Sequence, residues 1–300
     1  MMRQTRVLVT GANGQLGQAL ARASWPASVT PLFRSRAEFD VSCQPEVDTL
    51  LATAGIDVVV NAAAYTAVDQ AEDDLATAYA VNHHGPHNLA AACARSGAAL
   101  IHVSTDYVFD GTKPEPYVET DPISPINAYG RSKAAGETSV RSALVRHVIL
   151  RTAWLYGAGG KNFVRTMLRL ARERDSLSVV SDQFGNPTAA PDLADAIVAV
   201  LARIHDGGRA RDAVAWGTYH CVNSGDASWH DLADAVVGLA APVTGKRPPV
   251  RAIASAQYPT RAARPANSRL ATNKLHAAFG VRMRPWQEAL TPVVADLVRR

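Results

Sequence analysis

A glycine-rich segment near the start of the chain constrains its fold more than any other feature. The apolar, β-branched run 6–10 predicts a short buried strand that stops at Gly11. Gly14 and Gly17 follow at equal spacing, and a helical pattern occupies 18–23. This order is typical of a dinucleotide-binding βα unit, because the glycines admit a tight turn and a close backbone approach to a pyrophosphate. An ordinary connection that tolerates glycine is the alternative.

Composition and charge exclude several classes of partner. The chain has 300 residues, of which 47% are hydrophobic and 19% charged, as in an ordinary globular protein with ample core. Its net charge is only +4, and the basic residues are scattered except near 3–6 and 261–269. We therefore expect no nucleic-acid partner. No apolar run approaches the roughly 20 residues that a membrane helix needs, so we expect no membrane partner either.

The cysteines indicate the compartment. Cys43, Cys93 and Cys221 are far apart and form no CxxC pair, which favours reduced thiols and argues against a zinc framework. The chain runs almost directly into its first strand, so we expect no signal peptide. Together these observations predict a cytoplasmic location.

The second predicted strand bears on the choice of cofactor. It covers 29–33 and ends at Arg34, with Arg36 close by and no carboxylate before Glu38. An NAD site usually has an acid here for the ribose 2′-hydroxyl, whereas guanidinium groups suit a 2′-phosphate. The sequence therefore favours NADPH, with NADH possible. The alternative is that both arginines point into solvent. The loop 39–41, with Asp40 and Val41, is expected to contact the adenine end.

A third predicted strand, 56–61, opens into the small residues Ala62, Ala63 and Ala64, against which a cofactor can lie. A helical pattern follows over 67–81. His83 and His87 have the spacing of metal ligands on a helix, but no third ligand is evident. We interpret them as solvated or hydrogen-bonded side chains and predict no metal site there.

The fourth predicted strand, 98–103, leads to Thr105 and then, after a proline-rich loop, to Tyr129 and Lys133. Four residues of helix rise roughly 6 Å, so the phenol and the ammonium can reach one site. A nearby ammonium favours the ionised phenol, and we expect it to lower the tyrosine pKa. The pair could then move a proton to or from a carbonyl or hydroxyl oxygen. Alone, a surface tyrosine and lysine at helical spacing would look the same.

In the second half, the patterns predict strands at 147–151 and 218–222 and helices at 162–174 and 192–204. Residues 182–188 are predicted as a loop and 207–212 as a connector, and a further helix is expected to be capped by Ser228 and Asp231. We predict an α/β fold in which 1–155 form a Rossmann-type doubly wound parallel sheet. Residues 156–300 then form a smaller substrate-binding region interleaved with late Rossmann elements. Arg261, Arg264 and Arg269 could grip a diphosphate or form a solvated basic loop.

Taken together, these motifs resemble the extended short-chain dehydrogenase/reductases and, more narrowly, the dTDP-4-dehydrorhamnose reductase family. The later motifs are more specific than the tyrosine–lysine pair, which the whole superfamily shares. The matching segments cover the chain nearly end to end and are 11–17, 61–66, 104–111, 129–133, 151–156, 162–163, 182–188 and 264–270.

The resemblance implies residue roles. Tyr129 is the expected proton donor, Lys133 binds the nicotinamide ribose and lowers the tyrosine pKa, and Thr105 bonds to the substrate carbonyl. Further implied substrate contacts are Asp106, Trp154, Asn162 and Arg264. Implied cofactor contacts, besides Tyr129 and Lys133, are Gly11, Asn13, Gly14, Gln15, Leu16, Gly17, Arg34, Asp40, Val41, Ala62, Ala63 and Ala64.

The activity implied by the resemblance is NAD(P)H-dependent reduction of the C4 keto group of dTDP-4-dehydro-L-rhamnose to dTDP-L-rhamnose, a precursor of cell-surface polysaccharides such as lipopolysaccharide O-antigen. One alternative is a nucleotide-sugar epimerase or dehydratase. Dehydratases carry an Asp-Glu pair where this chain has Asp106-Tyr107. Another alternative is a non-catalytic NADP-binding regulatory subunit, against which Tyr129, Lys133 and Thr105 speak.

The chain departs from the family at two places. Arg34 stands where members tend to carry an acid, which again favours NADPH. Some members dimerise around magnesium held by glutamates in the first helix and the C-terminal half, but here the first helix has Ala19 and no acid. Magnesium is possible by resemblance although its ligands are not evident, and the expected state is a monomer or a homodimer.

Overall fold

A six-stranded parallel sheet organises the computed structural model, which describes residues 4–206 and 214–299. In spatial order its strands are β2 (Val29–Arg34), β1 (Thr5–Thr10), β3 (Val58–Asn61), β4 (Ala99–Thr105), β5 (His147–Thr152) and β10 (Gly217–His220). The strand order reverses between β1 and β3, the point at which open parallel sheets bind ligands. The predicted doubly wound α/β fold is confirmed.

Both faces of the sheet are buried, which is why its strands are almost continuously apolar. Side chains alternate along each strand, so Val7 and Val9 enter the core on one face and Leu8 the core on the other. The covering helices on the first face are α1 (Gln15–Arg22), α7 (Ala190–Asp206) and α9 (Asn273–Phe279). Those on the second face are α2 (Gln44–Thr53), α4 (Gly85–Ser96) and α5 (Ala128–Ala143).

A second core lies in the C-terminal half, among α6 (Phe163–Glu173), α8 (Trp229–Thr244) and α10 (Trp286–Arg299). Helix α8 begins with the predicted capping box, in which Ser228 and Asp231 satisfy each other's backbone N–H groups. The short strands nearby are β6 (Leu155–Tyr156), β7 (Leu177–Val180), β8 (Phe184–Gly185), β9 (Thr188–Ala189), β11 (Ala227–Ser228), β12 (Val250–Ile253) and β13 (Asn267–Ser268).

The stretch 67–81, predicted as one helix, is broken. Its pieces are a 3-10 turn at Gln70–Glu72, α3 (Leu75–Tyr79) and a π-helical turn at Ala80–His84. Within the π turn, the Asn82 side chain accepts from the Tyr65 N–H at 2.9 Å and donates to the Tyr65 carbonyl at 3.0 Å. These tertiary hydrogen bonds stabilise the irregular turn and fix the segment that follows β3.

Other boundaries differ less. Strand β4 runs two residues past the predicted end and includes Thr105. The predicted loop 182–188 contains β8 and the first of the two residues of β9. Strand β10 and helices α7 and α9 come from the second half yet complete the first sheet and its core. The division at residue 155 stays a prediction. The predicted connector 207–212 lies outside the described residues.

No helix in the described ranges is long and apolar enough to cross a membrane.

Candidate active site

A cleft of about 660 Å³ opens at the carboxyl ends of the sheet strands, between the two cores. The sequence-predicted site residues that line it are Gly14, Gln15, Leu16, Ala62, Ala64, Thr105, Asp106, Tyr129, Lys133, Trp154, Asn162 and Arg264. The structure thus brings together side chains from distant parts of the chain. Sequence reasoning missed several further lining residues, among them Lys161, Phe163 and Trp229.

A second cavity, of about 210 Å³, adjoins the cleft. Gly14, Ala62 and Ala64 line both, so the two form one continuous groove along the glycine loop. The other predicted cofactor residues that line the second cavity are Gly11, Asn13, Asp40, Val41 and Ala63. A groove of this length, next to a helix N-terminus without a side-chain cap, fits an extended dinucleotide.

Arginine placement differs from the sequence expectation. Arg34 lines neither part of the groove, and its Nη1 donates to the Phe33 carbonyl at 3.2 Å. Arg36 lines the second cavity and lies 3.8 Å from Asp40. Arg36 is therefore the guanidinium that borders the second cavity, and the expected contact of Arg34 with the cofactor stays a prediction.

Two glycines are required by packing. Gly11 has φ +69°, and a Cβ there would lie 2.7 Å from the Ala63 nitrogen. A Cβ on Gly17 would lie 2.2 Å from the Gly11 carbonyl oxygen. Gly17 lines neither cavity, and its lack of a side chain lets α1 pack closely against the glycine loop; its expected contact with the cofactor stays a prediction.

Helix α5 begins so that Tyr129 lies in its first turn. Asn127 is the N-cap, and its Oδ1 accepts from the Gly130 N–H at 2.8 Å. The Asn127 Nδ2 donates to the Ala263 carbonyl at 2.8 Å, which ties the start of α5 to the C-terminal half. The position of Tyr129 thus depends on both halves of the chain.

Lys133 lies one turn further along α5 and is buried. Its Nζ donates to the Val103 carbonyl at 2.7 Å. Burial lowers the pKa of Lys133 to about 8, and the Glu137 carboxylate opposes that shift. Glu137 is itself fixed by Arg151, whose Nε and Nη2 donate to it at 2.9 and 2.7 Å.

The expectation that Lys133 lowers the pKa of Tyr129 is wrong in this structure. Burial raises the pKa of Tyr129 to about 12, a hydrogen bond with Thr105 opposes the rise, and the Asp106 charge adds to it. Desolvation dominates because Tyr129 is largely buried, while the Lys133 ammonium is engaged by a backbone carbonyl. The phenol therefore stays protonated at neutral pH, the state that a proton donor needs.

Thr105 and Asp106 form a coupled pair at the end of β4. The Thr105 hydroxyl donates to Asp106 Oδ1 at 2.9 Å. Burial raises the pKa of Asp106 to about 6, against hydrogen bonds with Ser268 and Thr105 that lower it. At neutral pH the carboxylate accepts a hydrogen bond from the threonine hydroxyl. The threonine oxygen is then free to accept a hydrogen bond from Tyr129.

The predicted cluster of three arginines does not converge. Arg264 lines the cleft, and its Nη2 donates to Asp69 at 2.7 Å. Arg261 pairs with Asp73, and Arg269 pairs with Asp226, both acidic side chains that are distant in sequence. Of the three arginines only Arg264 lines the cleft, and a joint grip on a diphosphate stays a prediction.

Asn162 bridges the two halves of the cleft. Its Nδ2 donates to Gln15 Oε1 at 2.9 Å and to the Gly157 carbonyl at 2.8 Å, while its Oδ1 caps α6 by accepting from the Arg165 N–H. Its amide thus connects the glycine loop to the C-terminal core. Trp154 also lies in the cleft and stacks on Trp229 with ring centroids 3.5 Å apart.

Metal ligands are a separate question. Over residues 4–206 and 214–299, no group of three or more histidine, cysteine or acidic side chains could hold a metal ion. The residues of α1 that line the cleft are Gln15, an amide, and Leu16, and the helix carries no carboxylate.

A doubly wound parallel sheet, a glycine loop at its reversal point, and a tyrosine–lysine helix turned towards that loop define a nicotinamide-dependent short-chain dehydrogenase/reductase. The comparisons with known proteins narrow this class. The family model of the RmlD substrate binding domain matches residues 5–299.

The chain is 46% identical over 299 residues to a dTDP-4-dehydrorhamnose reductase of Burkholderia thailandensis, covering 98% of this chain and 99% of the relative. It is 45% identical over 293 residues to one of Sinorhizobium fredii, covering 98% of each. A crystal structure of dTDP-4-dehydrorhamnose reductase from Bacillus anthracis in complex with NADP is 36% identical with a TM-score of 0.89, covering 98% of this chain and 99% of that one. The chain belongs to the dTDP-4-dehydrorhamnose reductase family, as its motifs predicted.

Proposed function

We propose that this protein catalyses the NADPH-dependent reduction of the C4 keto group of dTDP-4-dehydro-L-rhamnose to dTDP-L-rhamnose. The observation that carries the proposal is the meeting of Tyr129, Lys133 and Thr105 in one cleft beside the glycine loop. The named activity of the two relatives and the NADP of the Bacillus anthracis structure support the same reaction.

The nicotinamide supplies a hydride to C4 of the keto sugar when it is bound. Tyr129 donates its phenolic proton to the oxygen that becomes the alkoxide, and its raised pKa keeps that proton in place until the charge develops. Thr105 donates a hydrogen bond to the same oxygen after its proton turns from Asp106. Lys133 holds the nicotinamide ribose and lends positive charge to the site.

We assign the two ends of the cofactor from the residues that line the groove. The glycine loop, with Gly14, Gln15 and Leu16, would hold the pyrophosphate at the N-terminus of α1. Asp40, Val41 and Arg36 would surround the adenosine, with Arg36 on the 2′-phosphate. The three alanines carry only methyl side chains, so they leave room for the cofactor to lie along the groove. They are Ala62, Ala63 and Ala64.

The substrate would occupy the part of the cleft that faces the second core. In this proposal Arg264 contacts the diphosphate, and Asp106 and Trp154 contact the sugar. Residues of the C-terminal part that line the cleft include Lys161, Phe163 and Trp229. Asn162 acts mainly through Gln15. We propose a cytoplasmic enzyme that is a monomer or a homodimer, with dTDP-sugar as its small-molecule partner.

The test is a steady-state assay with NADPH, NADH and dTDP-4-dehydro-L-rhamnose, using wild-type enzyme and Tyr129→Phe. We expect turnover in the wild type, faster with NADPH, and a loss of about 10²-fold or more in Tyr129→Phe with NADPH affinity retained. Cofactor binding without wild-type turnover would favour the non-catalytic regulatory alternative. Sugar conversion without net NADPH consumption would favour an epimerase or dehydratase.

A further inference from the structure

The indole of Trp154 is enclosed on both faces. One face stacks on Trp229, with ring centroids 3.5 Å apart and planes 7° from parallel. A Cβ on Gly185 would lie 2.4, 2.6 and 2.8 Å from Cε2, Nε1 and Cζ2 of the same indole. The nearest atom is the ring-fusion carbon Cε2, and its bonded neighbours Nε1 and Cζ2 are both slightly farther away. This is the pattern of a point above Cε2, so Gly185 lies over the ring plane and not beside its edge. Trp229 fills one face, so Gly185 covers the other.

The backbone at Trp154 is also constrained. Its φ is +48°, a left-handed conformation that side-chain-bearing residues rarely adopt. The Trp154 carbonyl accepts from the Thr188 N–H at 3.2 Å, next to the pairing of β6 with β9. Such a conformation persists only where the surroundings determine it, and it is common at ligand sites. The fold therefore fixes the backbone from which this indole projects.

Trp229 is held in turn. It is the first residue of α8, directly after the N-cap Ser228, and its ring packs on Phe163 at 4.6 Å between centroids. Both Trp229 and Phe163 line the cleft. The stack thus connects the wall of the cleft to the second hydrophobic core.

We propose that Trp229 is a positioning residue which, together with Gly185, clamps Trp154 so that the edge of the indole, and not its face, borders the bound sugar. This inference rests on the proposed function and deepens it. A sugar that stacked on the Trp154 face would have to displace either an aromatic ring or a backbone segment. An edge contact requires neither, so the clamp sets the width of the sugar subsite.

Two variants test the clamp from opposite sides. Trp229→Leu removes the stacked ring, and Gly185→Ala inserts a methyl group into the other face. We expect each to raise the KM for the dTDP-sugar about two- to tenfold, the range lost with an aromatic pair, while the KM for NADPH stays unchanged. Trp229→Phe retains a stacking partner and should restore most of the loss. Trp216→Phe, at an aromatic residue outside the cleft, is the matched control.

Circular dichroism gives a second readout, because two stacked indoles produce an exciton couplet in the far ultraviolet. We expect the couplet in the wild type and in Trp216→Phe, and its loss in Trp229→Phe and Trp229→Leu. A wild type without the couplet, or a lowered or unchanged sugar KM in folded Trp229→Leu and Gly185→Ala, would overturn the clamp alone. A wild type without turnover overturns the proposed function and, with it, this inference.

Discussion

The guanidinium of Arg151 donates to both carboxylate oxygens of Glu137, at 2.9 and 2.7 Å, and both side chains are buried. This pair anchors α5, on which Glu137 lies one turn after Lys133. The Arg151 charge holds the pKa of Glu137 below its usual range despite burial. The carboxylate in turn favours the charged form of Lys133.

Breaking this pair should destabilise the protein strongly. In Glu137→Gln, Arg151 keeps its charge at 2% exposure without a full counter-charge, so we expect unfolding free energy to fall by about 3–5 kcal/mol. Urea denaturation measures the change. Glu173→Gln breaks the exposed pair with Arg169 and should cost less than about 1 kcal/mol. Equal losses in the two variants would contradict the role assigned to the buried pair.

Replacing Lys133 should affect both cofactor and chemistry. Lys133→Ala removes the ammonium that holds the nicotinamide ribose, so we expect turnover to fall about 10²-fold or more and the KM for NADPH to rise. Lys274→Ala, at an exposed lysine bonded to the Thr218 carbonyl, should behave like the wild type. Steady-state kinetics compare the two. Near-wild-type turnover in Lys133→Ala would remove Lys133 from the mechanism.

The pH dependence of kcat/KM follows from two shifted groups. The Asp106 pKa is raised to about 6, so its carboxylate forms only above that pH; the Lys133 pKa is lowered to about 8, so its charge is lost above that pH. Tyr129, with a pKa of about 12, stays protonated throughout. We therefore expect a plateau between about pH 6 and 8 with a decline on each side. Asp106→Asn should abolish the acid limb, and an acid limb that persists in this variant would exclude Asp106 as its source.

Cofactor preference should depend on Arg36. Because Arg36 lines the adenosine cavity, Arg36→Ala should raise the KM for NADPH about tenfold and leave that for NADH within about twofold. Arg34→Ala is the matched control, since Arg34 bonds to the Phe33 carbonyl outside the groove. A larger effect in Arg34→Ala, or equal effects on the two cofactors, would contradict the assignment of Arg36.

Local patterns made much of this site predictable. The glycine loop and the Tyr129–Lys133 spacing are set by neighbouring residues, so the strand, the turn and the helix face follow from the sequence itself. The family motifs then extended the prediction to Thr105 and Trp154. The cleft brings all of these together.

The sequence expectations that differ from the structure concern contacts between residues that are distant in sequence. Arg261 and Arg269 pair with Asp73 and Asp226, which are distant in sequence, and Asn82 lies in a π-helical turn in which its side chain bonds to the Tyr65 backbone. No local signal marks these partners. The Tyr129 pKa likewise depends on how completely the fold encloses the phenol, which spacing on a helix does not reveal.

Trp229 is a cleft residue that the sequence did not indicate. Its sequence position marks only the start of a capped helix, and its place in the cleft follows from packing against Trp154 and Phe163. Only the folded chain shows that it borders the site.

The most direct test of the central claim is to follow the label from NADPH deuterated at the transferable C4 position. The enzyme is incubated with this cofactor and dTDP-4-dehydro-L-rhamnose, and the sugar product is analysed by mass spectrometry and NMR. The account predicts one deuterium at sugar C4, with one NADP formed for each dTDP-L-rhamnose. A converted sugar without deuterium at C4, or no conversion while NADPH is bound, would contradict it.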